Sequence, residues 1–355
     1  MLMFSLNLWP VERVNLDKPK YGDWDLKPKK IWTIEGAGND VFSMPDVLVS
    51  DEGTLFIYDW KNKRSYLFDK YGQFVKIYSK RGEGPGEIRF YMKGLLIKDK
   101  HIIVDFDRLH YFSKAGNYLH SIPNIFTERE PQFFIDEQQF FSAPSHDIST
   151  RPGNIQFNHL GTKAKNVVKT LDPLNAKEVR ETPSINIIGL TPQIIIGYDP
   201  IGQNIYYGTN NLYLIHRMDL EGKASLSFSI QRQQESVSDD RIRAEADLFG
   251  GEPINPRQMK SLSKKTTYFH RLQIIDGLIY VFNGNFGLHW EKQQIDVFSL
   301  KGEYLYKIVF IPEEGEKIYF SRSNILIKKS HLYTVLEDEG GEVKIIKYEI
   351  TLPRN

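Results

Sequence analysis

One hairpin recurs five times along this chain. An alternating apolar strand runs into a polar turn containing glycine, and a second alternating strand follows. The clearest copies are Tyr66 to Ile77 around Gly72, Tyr111 to Ile122 around Gly116, and Val297 to Ile308 around Gly302. Weaker copies surround Gly161 (Phe157 to Val168) and Gly222 (Arg217 to Ile230). Glycine supplies the positive φ that a tight turn between antiparallel strands needs. The first three glycines are spaced by about 45 residues, the length of a four-stranded propeller blade.

Two further short strands precede each hairpin. They read as 45–50 and 54–58, 94–98 and 101–105, 132–135 and 138–142, 193–197 and 204–207, and 271–275 and 278–282. A sixth unit has only three strands: 324–327, 331–335 and 343–350. Lys30 to Ile34 is, conversely, a strand without a blade. Added as the outer strand of the last unit, it completes six blades of four and removes the open sheet edges. The expected fold class is therefore all-β: a six-bladed β-propeller of four-stranded antiparallel blades, closed by an N-terminal strand. The propeller spans 28–352 and the extension 1–27 precedes it.

The long interval between Gly222 and Gly302 calls for an insertion, at about 235–264. Ser236 to Phe249 has helical spacing, with Ile242, Ala246 and Phe249 on one face, and Ser236 to Asp239 reads as its capping-box-like start. Asn255-Pro256 offers an N-cap and a first-turn proline for a second short helix through about Ser263. A short helical insertion between blades four and five is expected.

Composition narrows the function classes. Lys+Arg number 46 against 45 Asp+Glu, so no basic excess points to nucleic acid. The absence of cysteine excludes disulfides, iron–sulfur and cysteine-zinc sites, and a cysteine nucleophile. No apolar run reaches the roughly 20 residues of a spanning helix. Met1 to Trp9 is apolar but lacks the basic start and small-residue cleavage site of a signal peptide.

The stretch Phe56 to Gly72, with Asp59, Asn62 and Arg64 before the strand and Gly72 at the turn, resembles an NHL-type repeat. Arg81-Gly-Glu-Gly-Pro-Gly-Glu87 resembles the glycine-rich signature of the bacterial 6-bladed beta-propeller family, NHL/TolB-like proteins often exported or lipid-anchored. The resemblance covers about Pro19 to Ile350. It implies the propeller fold and a periplasmic or secreted location, but no defined activity.

Catalytic signatures are missing. The chain has no HExxH, no GxSxG and no P-loop; Pro85 even removes a backbone donor from the glycine-rich loop. Asp59, Asn62 and Arg64, and likewise Asp105-Phe-Asp107, read as turn builders. Propeller topology gathers the blade-to-blade connections and the second-to-third-strand loops on one face. That face is expected to carry the binding residues: Arg81, Glu83 and Glu87; His146 and Arg151; and Asn285, His289 and Trp290. Long loops on a rigid scaffold are where sites form.

The reading is a non-enzymatic binding module, a monomer without cofactor, for a protein, peptide or glycan ligand. The alternative is a metal-dependent lactonase- or lyase-like propeller enzyme, with calcium or another divalent ion at the channel mouth. Carboxylates such as Asp46 and Asp199 would then converge there.

Overall fold

The recurring hairpin is built alike each time. Gly72, Gly116, Gly222 and Gly302 have φ of 78°, 69°, 83° and 75°. Each donates its N–H to the carbonyl three residues back, at 2.8 to 3.1 Å. The side chain there (Asp69, Ser113, Asp219 or Ser299) accepts from the amide that follows the glycine. The glycine also has a packing reason. A Cβ on Gly72 would meet the Trp32 ring at 3.0 Å, one on Gly116 Tyr78 at 2.9 Å, and one on Gly302 Phe228 at 2.7 Å. Each of those aromatics lies on the outer strand of the preceding blade, so the turn of one blade docks on its neighbour's edge.

The computed structural model describes residues 11–98, 100–123, 129–135, 139–144, 153–159, 165–171, 189–190, 192–248, 254–287, 289–319 and 325–354. The expected turn at Gly161 and the end of the first expected helix at Phe249 lie outside them.

The first blade consists of Pro45–Val49, Leu55–Asp59, Arg64–Phe68 and Phe74–Lys80, paired in sequence order. The second is Tyr91–Ile97, Lys100–Asp105, Arg108–Ser113 and Tyr118–Pro123. The third runs from Arg129–Phe134 to Lys165–Leu171. The fourth runs from Ile194–Asp199 to Ala224–Gln231, and the fifth from Phe269–Ile275 to Tyr304–Phe310. The sixth has Ile325–Lys328, His331–Asp338 and Val343–Glu349 from the C-terminal end of the chain. Lys29–Ile34 completes it, antiparallel to Val343–Glu349. Trp32 on this strand holds the place that Tyr78 and Phe228 hold in other blades. The ring closes as the sequence implies.

Apolar clusters fill every interface of the ring. Tyr58 packs with Ile103 and Phe112 between blades one and two, and Phe140 with Leu95 and Val104 between two and three. Phe141 meets Ile205 and Tyr207 between three and four, and Phe228 meets Phe298 between four and five. Tyr280 and Leu332 join blades five and six, and Tyr66 and Val335 join six to one. Both faces of each sheet are therefore buried, which is why central strands such as Leu55–Asp59 and Leu278–Asn283 are buried at every position.

Two features go beyond the sequence reading. Val11–Leu16 lies parallel to the outer strand of blade four, and Asp23–Trp24 parallel to that of blade five. The segment from Val11 to Ile34 thus straps three successive outer edges. Asn15 fixes it, donating to the carbonyls of Ser229 and Gly302 and accepting from the Tyr304 amide. Within it, Leu26 is buried in the apolar cluster between blades five and six. Free strand edges hold unpaired N–H and C=O groups, and the strap satisfies part of them. In addition, Glu316–Tyr319 pairs with His331–Asp338 and with His289–Trp290, so the fifth blade's long loop is tied to blade six.

The insertion forms α1 (Asp239–Leu248) and α2 (Pro256–Ser261). The N-cap of α1 is Ser238 rather than Ser236: Ser238 Oγ accepts from the Arg241 amide and its carbonyl from the Ile242 amide. At α2 the expected cap is present, with Asn255 and Gln258 each accepting from the other's amide. Ile242, Met259 and Leu262 pack on Phe286 of the fifth blade.

Candidate functional site

Two buried aspartates shape the loop-rich face. Asp59 ends the second strand of blade one and is wholly buried. One oxygen accepts from the Ser43 and Met44 amides of the incoming connection, the other from the Lys61 and Asn62 amides of its own turn. Asp105 occupies the same place in blade two, accepting from the amides of Arg89, Phe90 and Phe106 at 2.8, 2.8 and 2.6 Å. Burial works to raise its pKa, but His110 and these three amides outweigh it and hold the carboxyl below its usual range. The turn-building role expected for both aspartates is what the hydrogen bonds show. Asn62 caps the Val41 carbonyl at 2.9 Å, and Arg64 pairs with Asp40 at 2.7 Å.

The Asp105 staple has a second effect, because the residues it fixes line a cleft. Arg81, Gly82, Glu83, Arg89, Phe90, Phe106 and Asp107 enclose about 580 Å³ between blades one and two. Phe90 is 59% exposed and Phe106 66%. Behind them the Tyr58 and Tyr91 rings stack at 3.9 Å, with Trp60 edge-on to Tyr91 at 5.3 Å and to Phe90 at 6.3 Å. Arg89 is shared between Glu83 and Asp107, at 3.6 Å from each. The Arg81 guanidinium has no such carboxylate partner among the described residues. The surface is thus an aromatic floor with one uncommitted cation at its edge.

The glycine-rich loop holds itself in shape. The Ile88 amide donates to the Lys80 carbonyl, the Gly82 amide to the Ile88 carbonyl, and Ser79 Oγ to the Gly86 carbonyl. Glu87 points inward: it accepts from the Gly84 amide at 2.9 Å and pairs with Lys80 at 3.4 Å. The Gly84 amide is the main influence holding its carboxyl below the usual range, with Lys80 adding to it. A Cβ on Gly82 would overlap this carboxylate.

The structure therefore brings Arg81 and Glu83 to one cleft and places Glu87 inside the loop that shapes it. Asn285, His289 and Trp290 lie on the fifth blade's loop, on the far side of the ring. Asn285 donates to the Lys292 carbonyl. His289 Nε2 is 3.2 Å from Glu337. Trp290 is 3% exposed and donates to the Gly287 carbonyl. His146 and Arg151 lie outside the described residues. Phe90 and Phe106 were not singled out from the sequence, since apolar residues beside a strand read as core.

The carboxylates that a channel-mouth metal would draw on sit at opposite ends of their strands. Asp46 is near the start of an inner strand, accepting from Tyr91 Oη at 2.6 Å. Asp199 ends another inner strand and accepts from the Ile201 amide. Among the described residues no three His, Asp or Glu side chains are grouped to hold a metal ion. Among them, too, no helix is long and apolar enough to cross a membrane.

Comparison with solved structures agrees with this architecture. A DUF4221 family member from Bacteroides vulgatus is similar at a TM-score of 0.60 and 10% identity, covering 93% of this chain and 99% of that one. A protein from Bacteroides fragilis is similar at a TM-score of 0.53 and 13% identity, covering 97% and 100%. At these identities the likeness concerns the fold. No curated protein matches the sequence. A family model does, over residues 39–245. With its repeated hairpins, six closed blades and this match over more than half its length, the chain belongs to the DUF5128 family of 6-bladed beta-propellers.

Proposed function

We propose that the protein is a non-enzymatic binding propeller whose loop-rich face takes a peptide segment of a partner protein in the cleft between blades one and two. The observation that carries this is the exposure of Phe90 and Phe106, 59% and 66%, on backbone that buried Asp105 holds fixed. Covering one phenylalanine contributes about 1.5–3 kcal/mol, and fixed backbone lowers the ordering cost of binding. Aromatic and arginine side chains are the usual anchors of an interface. Arg81 at the edge favours a segment that carries a carboxylate beside an apolar side chain.

Panning a displayed peptide library on the immobilised protein tests this. Enriched peptides should combine an apolar residue with Asp or Glu. They should bind the Phe90→Ser/Phe106→Ser double variant about a hundredfold more weakly, since two lost anchors amount to about 3 kcal/mol or more. Peptides that bind the variant as well as the parent, or no enrichment at all, would sink the reading.

A further inference from the structure

On the opposite face, blades six and one leave a cleft of about 620 Å³, a volume typical of small-molecule sites. Its walls carry four lysines, Lys70, Lys328, Lys329 and Lys347, against two acids, Asp51 and Glu52. Both acids are engaged, Asp51 with Lys328 at 2.5 Å and Glu52 with Lys114 at 3.6 Å. Among the described residues, Lys70, Lys329 and Lys347 have no carboxylate within 4.0 Å.

Lys347 is the unusual member, only 8% exposed. It stands in register with Trp32 on one neighbouring strand and Tyr333 on the other. Its ammonium lies 5.9 and 5.5 Å from the two ring centroids. The rings attract the cation without neutralising it, and a desolvated charge without a counter-ion is costly. Burial, with Lys70 adding to it, holds its pKa below the ordinary lysine value. His331 nearby is shifted down too, by burial and then by Lys347. Ile31 and Tyr71, 46% and 65% exposed, add apolar surface to the cleft.

Excess cations over aromatic walls, open to water on one side, match a ligand with an anionic group on a ring that has both apolar faces and polar edges. We propose that this cleft binds a small anionic sugar, a carboxylate or phosphate on a pyranose ring, with Lys347 and Lys70 on the anion and the ring against Trp32 and Tyr71. The site is separate from the peptide cleft and does not depend on it.

Isothermal titration at low salt with glucuronate, glucose 6-phosphate and glucose tests this. At least one anionic sugar should bind and quench tryptophan fluorescence, and glucose should not. Binding of glucuronate alone assigns a carboxylate ligand, and of glucose 6-phosphate alone a phosphate ligand. Lys347→Met, which keeps the aliphatic stem, should weaken binding at least tenfold. Lys70→Gln, at an exposed position, should weaken it several-fold. Phe90→Ser/Phe106→Ser should leave it unchanged. Failure of both anionic sugars to bind, equal binding of glucose, or full affinity in both lysine variants would overturn the proposal.

Discussion

Arg232 donates to Asp296 at 2.7 and 3.2 Å, and this pair is the meeting point of blade four, blade five and the N-terminal strap. Asp296 is wholly buried and also accepts from Tyr213 and Tyr304 hydroxyls at 2.6 and 2.7 Å. The other side of the guanidinium engages Asp17 of the strap. Its face lies over the Tyr213 ring at 5.4 Å. The arginine fork suits this double duty, since one side can serve a buried partner and the other an exposed one.

Arg232→Ala should therefore destabilise strongly. It leaves the buried Asp296 carboxylate without its cation, which typically costs about 3–5 kcal/mol. Asp17→Ala removes a partner whose side chain is 42% exposed, and its effect should stay below about 1 kcal/mol. Urea unfolding of both variants checks the asymmetry, and equal effects would contradict it.

The strap and the closing strand should differ in what their removal does. Deleting residues 1–28 uncovers the outer edges of blades four and five and exposes apolar surface around Leu26. The protein should stay folded and elute as the parent does, with a lower Tm, since among the described residues the outer strands of blades one and two also carry no further strand. Deleting 1–35 also strips Lys29–Ile34 from blade six and opens the ring. That variant should aggregate, because Val343–Glu349, an interior strand buried at most positions in the closed ring, becomes an apolar open edge that invites strand addition. Size-exclusion chromatography separates the two results.

The two glutamates of the glycine-rich loop should part ways. Glu87→Ala removes the acceptor of the Gly84 amide and should lower the Tm measurably. It should also weaken peptide binding in the neighbouring cleft by loosening the loop. Glu83 is exposed and pairs with Arg89 only at 3.6 Å, so Glu83→Ala should leave stability within about 0.5 kcal/mol. Thermal melts on both variants decide this.

Acid should unfold the protein through two buried histidines. Burial pulls His101 down to about 3 and His270, also repelled by Arg271, down to about 3. Unfolded histidine takes up its proton near 6.5. Between 6.5 and 3 the unfolded chain binds more protons, so stability falls as pH falls and is fully present above about 6.5. At pH 4 each histidine accounts for a loss of about 3 kcal/mol. His101 accepts or donates at Tyr78 Oη and lies 4.6 Å from the Phe56 ring. His101→Phe should flatten the slope of stability against pH, whatever it does to stability at pH 7. An unchanged slope would show that His101 is not responsible.

The blade count, the closing role of Lys30 to Ile34 and the helical insertion were legible in the sequence because their signals are local. Period-two alternation, a turn glycine and a helix cap each need only a few neighbouring residues. Asp59 and Asp105 were legible as turn builders for the same reason, although that Asp105 also presents Phe90 and Phe106 was not. The strap escaped notice because Asp23–Trp24 is too short to have a period and the apolar residues of Val11–Leu16, at 11, 14 and 16, do not alternate.

What only the tertiary structure decided is which residues share a surface. Trp32 and Lys347 stand side by side although 315 positions separate them, and that adjacency exists only once the ring has closed. Arg81 and Phe106 face one cleft because two blades pack at a fixed twist. Alternation fixes that a strand has two faces, and turn chemistry fixes where it ends. Whether a given aromatic is buried or left open to a ligand depends on what the neighbouring blade places against it, and a single strand's sequence does not contain that information.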